Sequence, residues 1–294
     1  RLPPPMLFDL RSPGRRNLIR VVYAGLAVLM GGGLIFFGIG GSGGGLFSDV
    51  GGGGGGGGGG NPFEDQISDA EAKLQQNPQD TAALAELVQL HYQAGSNQIE
   101  VDQDTGTQSL TDEGEQQLAE SADAWDRYLK QTQKSGAQPA TGVSSIAVQT
   151  FSVLADASFS QALDATGTEA LDRANDAVTS WTDAAEAQRI LAEAQPAGQA
   201  FANLAFFLYR SGDIAGGDRA SAQAAQAAAP SEKASIEQQL KQTKKQGEQL
   251  TQAIAQLQKQ QEQTTQATGG ATGANPLESL GGGGLSTGGG LSGQ

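Results

Sequence analysis

Few side chains in this sequence could carry out chemistry, and the single histidine, His91, is the first to consider. It follows Leu84, Leu87 and Val88 at helical spacing, which places it on the apolar face of a predicted helix. We expect a histidine there to pack in the core or at its rim, rather than to act as a base. The chain has no cysteine, which excludes disulfides, thiolate metal sites and cysteine nucleophiles. The sequence motifs of phosphate loops, serine hydrolases and zinc hydrolases are absent too, so we expect no enzyme activity and no cofactor.

Acidic residues are the other candidates for a site. Asp102, Asp104 and Glu113 occupy positions 1, 3 and 12 of a calcium-loop template. The sixth position of that template needs a glycine for a sharp turn, and this chain has Thr107 there. We therefore expect an exposed acidic loop with no bound metal.

The charge of the chain is unevenly distributed around a net value of −14. Residues 1–20 contain five arginines and one acidic residue, whereas residues 61–294 contain 13 basic and 30 acidic residues. A domain this acidic repels phosphate backbones, so we expect no nucleic-acid partner. Carboxylate pairs at helical spacing, such as Asp123 with Asp126, are expected to belong to a solvated helix face.

Residues 21–39, VVYAGLAVLMGGGLIFFGI, predict a transmembrane helix. They carry no charge, and as a helix they would span about 28 Å, close to the ~30 Å hydrocarbon core. Because Arg15, Arg16 and Arg20 precede this helix, the basic segment 1–20 is expected in the cytoplasm and the bulk of the chain outside a bacterial inner membrane. The alternative is a cleaved signal peptide, although its apolar run is usually about 7–15 residues long and ends in an A-x-A-like site.

Residues 40–60 predict a flexible linker. They include ten consecutive glycines at residues 51–60, which offer no side chain to bury. A coil of this kind spans roughly 25 Å on average. It would keep the following domain near the membrane without fixing its orientation.

Residues 61–230 predict an all-α domain. Aromatic residues are only 5% of the chain, so the core must be built largely from alanine and leucine, which suits closely packed helices. A polar insertion is expected at residues 96–111, and Thr166 begins a capping-box pattern with Glu169. Apolar periodicity and stop signals predict seven helices, at residues 64–76, 80–94, 112–133, 143–163, 166–195, 199–210 and 214–229.

Two segments of this domain resemble tetratricopeptide repeats, whose unit of about 34 residues is a pair of antiparallel helices. In the better match, Phe201 and residues 204–208 hold the large positions of the first helix, and Gly212 begins the turn. Gly217 and Ala224 hold the small positions of the second helix. The other match follows Asn77-Pro78, with Leu84, Leu87, Val88, His91 and Gly95 in register. The resemblance implies a solenoid of helix pairs, and a generic helical bundle is the alternative.

Residues 231–266 predict one long, glutamine-rich helix, and residues 267–294 predict a disordered, glycine-rich tail. The helix could associate with a second copy as a coiled coil or pack on the helical domain. In the tail, the alternative is a short docking motif made of its leucines, which include Leu277 and Leu280. The coiled-coil seam of the helix would consist of Ile236, Leu240, Thr243, Gly247, Leu250, Ile254, Leu257 and Gln261.

The resemblance implies a protein-interaction scaffold, since stacked helix pairs form a concave groove that holds peptides or partner helices. An acidic groove would favour basic or extended segments, for example of exported proteins or of envelope assemblies. The alternative function is a structural membrane component that oligomerises through residues 231–266. The expected packing or groove residues are Trp125, Trp181, Phe201, Leu204, Phe207 and Tyr209.

Overall fold

The computed structural model describes residues 63–101, 108–266, 275–277 and 280. Within them lie eight helices and a two-stranded antiparallel ribbon, so the all-α class is confirmed for most of this part of the chain. The two strands of the ribbon lie within residues 96–111, where only a polar insertion was expected, and they pair Ile99 with Leu110. The elements are α1 Glu64–Gln76, α2 Thr81–Ser96, β1 Ile99–Val101, β2 Gln108–Leu110, α3 Asp112–Ser135, α4 Thr141–Asp164, α5 Gly167–Ala194, α6 Gly198–Arg210, α7 Ile214–Ala227 and α8 Pro230–Gln266.

Several helices begin at a residue whose side chain accepts hydrogen bonds from the first turn. Asp80 accepts from two backbone N–H groups of α2, at 2.9 and 3.1 Å. Thr111 accepts from the first turn of α3 at 3.1 Å, and Asp213 from that of α7 at 2.8 Å. Thr166 precedes α5 as expected, but its side chain makes no capping hydrogen bond, so the predicted capping box is wrong. The starts of α2, α3 and α7 are therefore encoded locally.

The helices form three consecutive hairpins, in which α2 packs on α3, α4 on α5, and α6 on α7. Short turns join the two helices of the second and third hairpins, which makes them antiparallel neighbours. Neighbouring hairpins also touch, since α3 contacts α4 and α5 contacts α6. Helix α1 covers α2 at one end of this series, and α8 contacts α5, α6 and α7.

Alanine is the most common buried residue in the α4–α5 hairpin. Small side chains let two helix backbones approach closely, which is how a chain with few aromatic residues can build a dense core. A buried polar contact joins α4 to the first hairpin: the Ser121 hydroxyl of α3 lies 2.8 Å from the carbonyl oxygen of Val88 of α2 and 3.1 Å from the hydroxyl of Thr150 of α4. The α4 and α5 alanines that are at most 1% exposed are Ala147, Ala155, Ala162, Ala170, Ala174, Ala177, Ala184, Ala185, Ala187 and Ala192.

The seam of α8 packs against its own chain. Ile236, Leu240, Leu250 and Leu257 are buried, so the contact extends well beyond the first half of the helix. A residue that is unfavourable in a coiled-coil seam can be explained by a contact within this chain. At Gly247, for example, a Cβ atom would clash with the carbonyl oxygen of Tyr209. The seam is therefore shaped to fit the end of α6.

The predicted basic segment 1–20, transmembrane helix 21–39 and linker 40–60 lie outside the described residues. In the part of the chain that the structure describes, no helix is both long and apolar enough to cross a bilayer.

Replacing Gly247 with alanine tests the close contact between α8 and α6. An exposed helical glycine usually gains stability on this change, whereas here the added methyl group must displace the backbone of Tyr209. We expect Gly247→Ala to lower the free energy of unfolding by about 1–3 kcal/mol, measured by urea denaturation. Gly142→Ala, at an exposed position of α4, is the matched control and should be neutral or slightly stabilising. Equal effects of the two changes would contradict the packing described here.

Candidate functional site

The residues expected to line a groove or pack are mostly core residues. Trp125, Trp181 and Tyr209 are at most 2% exposed, and Leu204 and Phe207 are also buried. Phe201 differs, because it is half-buried at the edge of the core. These aromatic residues build the core by pairing. The Trp125 and Tyr128 ring centroids lie 5.7 Å apart, and those of Phe159 and Trp181 5.6 Å apart.

His91 is buried between α2 and α3. Its Nδ1 atom lies 2.8 Å from the amide oxygen Oε1 of Gln117. Because an amide oxygen can only accept, the hydrogen is on Nδ1. The histidine therefore links the two helices of the first hairpin, in agreement with the expected packing position.

A row of polar, aromatic and aliphatic side chains, all half-buried except the buried Arg210, crosses the first helix of each hairpin. We call it the first-helix face and define it as Tyr92, Gln149, Val153, Asp156, Phe206 and Arg210. Tyr92 of α2 donates to the amide oxygen of Gln149 of α4 at 2.8 Å. Val153 and Asp156 follow Gln149 at helical spacing, and both are half-buried. Asp156 interacts electrostatically with Arg210 of α6, so the row extends over α2, α4 and α6.

Arg210 is the charged anchor of this face. Its side chain lies between two aromatic rings, with the guanidinium carbon 5.1 Å from the Trp181 centroid and 5.0 Å from the Phe206 centroid. Burial lowers the pKa of Arg210, and the negative charge of Asp156 opposes that shift. The guanidinium group of an arginine stays protonated in a folded protein, so a positive charge lies between two aromatic rings and near a carboxylate. The burial of Arg210 could not be predicted from the sequence, because an arginine in the last turn of a helix is ordinary.

A second polar group joins the three C-terminal helices. The Tyr209 hydroxyl of α6 donates to Asp218 of α7 at 2.9 Å, and Lys244 of α8 donates to both carboxylate oxygens at 2.8 Å. Burial and the hydrogen bond to Asp218 raise the pKa of Tyr209, while the hydrogen bond from Lys244 lowers the pKa of Asp218. Gly217 makes room for the Tyr209 ring, where a Cβ atom would clash. The contacts lock the end of α6 in place.

Acidic side chains also meet where α5 passes α3. Burial raises the pKa of Asp183 to about 6, and the negative charges of Asp126 and Glu186 act in the same direction. Within the described residues, no three histidine or acidic side chains are arranged to hold a metal ion. Of the calcium-loop residues, Asp102 and Asp104 lie outside the described part, and Glu113 is exposed.

Three described residues near the C-terminal end of the chain dock on the end of α4. The side-chain nitrogen of Asn275 donates to the carbonyl oxygens of Ala162, Leu163 and Ala165, at 2.8, 3.3 and 2.9 Å. We call the site at the α4–α5 turn that these three carbonyl oxygens form the notch. Leu277 is fully buried and Leu280 is 8% exposed. The tail was expected to be disordered, with docking leucines as the alternative, and at these residues the structure has the docked arrangement.

The docking of the tail satisfies groups that a helix end leaves open. The last carbonyls of an α-helix have no partner within the helix, and the Asn275 amide supplies one. Each buried leucine adds about 1.5–3 kcal/mol relative to an exposed one. The tail contact is therefore favourable.

Comparison of the chain with protein-family models, with curated proteins and with solved structures finds no match.

The acidic cluster at Asp183 predicts a pH dependence of stability. The pKa of Asp183 is about 6 in the folded chain and near 3.8 when unperturbed. The folded state thus holds this proton more tightly, and its stabilising effect is lost as the pH rises through 6. At pH 7.5 we expect Asp183→Asn to be more stable than the unchanged chain by about 1 kcal/mol, after allowing for solvent screening.

At pH 4 the same comparison should show almost no difference, because the carboxyl group is then neutral in the folded chain. The measurement is urea denaturation at both pH values. Asp176→Asn, at an exposed position two turns earlier on α5, is the control and should show no comparable gain. A gain from Asp183→Asn that is the same at both pH values would contradict the assigned cause.

Proposed function

We propose that this protein is a membrane-anchored scaffold that binds other polypeptides through the first-helix face of an extracytoplasmic helical domain. The observation that carries the proposal is the continuity of that face. Tyr92 reaches Gln149, and Asp156 interacts with Arg210, so side chains from three successive hairpins form one row. The resemblance to tetratricopeptide repeats also supports a scaffold that binds polypeptides, because arrays of stacked helix pairs bind partners along an extended surface.

The chemistry of the face suits a polypeptide ligand. Gln149 of α4 and Asn203 of α6 carry half-buried amides, which can both donate to and accept from a peptide main chain. Val153 and Phe206 add half-buried apolar surface beside them. A face of this composition would bind an extended segment by main-chain hydrogen bonds and a few apolar contacts.

Charge favours basic partners. Residues 61–294 contain 30 acidic and 13 basic residues, so a positively charged segment would be attracted to the domain. Such attraction increases the association rate and the selectivity more than the affinity, and salt weakens it.

The membrane part of the proposal depends on residues 1–60. A single span at residues 21–39 with a cytoplasmic N-terminus would place the domain outside the inner membrane, and the linker would let it reach clients nearby. Exported chains and envelope assemblies are the partners that meet a domain in that place.

Site-directed photo-crosslinking in intact cells tests the proposal. A photoreactive residue in place of Val153 lies on the first-helix face, whereas the same residue in place of Asn175 lies at an exposed position of α5. We expect adducts with other polypeptides from position 153, at least fivefold more than from position 175. In isolated membranes their yield should fall several-fold as the ionic strength rises from about 0.05 to 0.5 M.

Equal labelling from the two positions would contradict the assignment of the face. Adducts that contain only second copies of this chain would favour the alternative, an oligomerising membrane component.

A further inference from the structure

The segment at residues 275–280, NPLESL, stands alone between two stretches of small residues. Residues 267–274 read ATGGATGA, and residues 281–284 are all glycine. Three of its described side chains are nevertheless buried, with Asn275 5%, Leu277 0% and Leu280 8% exposed. Buried side chains between two runs of small residues are the sequence pattern of a short docking segment.

The contacts of Asn275 require an amide. Its nitrogen shares two hydrogens among the carbonyl oxygens of Ala162, Leu163 and Ala165. Its oxygen accepts from the backbone N–H of Leu277 at 2.9 Å, which turns the chain toward the leucine site. An aspartate in its place would bring a carboxylate to the negative end of α4, where the helix dipole and the carbonyl oxygens repel it. The notch therefore discriminates between two side chains of nearly the same shape.

The leucines add a second element of recognition. A backbone hydrogen bond of 2.8 Å from Leu280 N–H to the Leu277 carbonyl sets the spacing between them. Both side chains belong to the main hydrophobic cluster of the domain, and the partly buried Leu163 and Ala165 pack against the same cluster. Together with Asn275, this spacing defines the pattern Asn-x-Leu-x-x-Leu.

We propose that the notch is a peptide-recognition site for Asn-x-Leu-x-x-Leu segments, and that residues 275–280 are its internal occupant, which a partner segment of the same pattern displaces. This inference rests on the proposed scaffold function and gives it a second, more specific binding site. A tethered occupant has an effective concentration in the millimolar range, so a partner must present its segment at comparable local concentration or bind elsewhere as well.

Peptide binding to the purified full chain in detergent tests the proposal. The probe is a fluorescent synthetic peptide with the sequence of residues 272–283, TGANPLESLGGG, and its binding is followed by fluorescence anisotropy. In one variant of the chain, Leu277→Ala with Leu280→Ala weakens the internal occupant. We expect this variant to bind the peptide at least tenfold more tightly than the unchanged chain does. Leu285→Ala with Leu291→Ala is the control variant and should bind like the unchanged chain.

A changed probe tests the amide. The same peptide with Asn275→Asp should bind the Leu277→Ala, Leu280→Ala chain at least tenfold more weakly than the original peptide. Equal binding of the two peptides would overturn the proposal, as would equal affinity of this chain and the unchanged one. Loss of the helical circular-dichroism signal in the variant would overturn it too, because the segment would then be part of the folding unit.

Two further results distinguish an internal tail from a tail exchanged between copies, and the notch from the first-helix face. An unchanged chain that is a dimer, and that becomes a monomer on Asn275→Asp, would show exchange of tails between copies and overturn the internal assignment. Peptide binding in the notch without adducts from position 153 would support this inference and contradict the proposed first-helix face. Adducts from position 153 without peptide binding in the notch would support the face and overturn this inference.

Discussion

The close approach of helix backbones is the constraint on which the rest of this structure depends. The chain has few aromatic residues, and ten of the 19 buried residues of α4 and α5 are alanines. Small side chains give little apolar area each, so they stabilise only when the helices pack along their length. The same constraint explains Gly217 beneath the Tyr209 ring and Gly247 against the Tyr209 backbone, where any side chain would clash.

Polar groups determine how the closely packed helices are arranged relative to one another. Apolar packing alone permits neighbouring helices to slide, whereas directional contacts do not. His91 with Gln117 aligns α2 and α3, Tyr92 with Gln149 aligns α2 and α4, and the Tyr209–Asp218–Lys244 group aligns α6, α7 and α8. All three of these contacts use a side chain of the first helix of a hairpin. The residues that fix the hairpins in place are thus close to those that would meet a partner.

Local signals in the sequence predicted most of the helices, because proline, glycine and capping residues act over a few positions. Asn77-Pro78 and Gly212 end helices as expected. The β-ribbon, the buried Arg210 and the docked Asn275 were not assigned. Arg210 depends on Trp181, and Asn275 on carbonyl groups more than 100 residues earlier in the chain. Spacing along the sequence carries no information about such distant pairs, and a charged or polar residue alone gives no sign of its burial.

Native-state hydrogen exchange on the full chain tests the central claim most directly, namely that the alanine-packed α4–α5 hairpin is the element that holds the domain together. If it is, the amides of α4 and α5 exchange only through global unfolding, and those of α1 and of the last turns of α8 exchange faster by at least tenfold. Exchange of α4 amides within seconds, or slower exchange in α8 than in α4 and α5, would contradict this account.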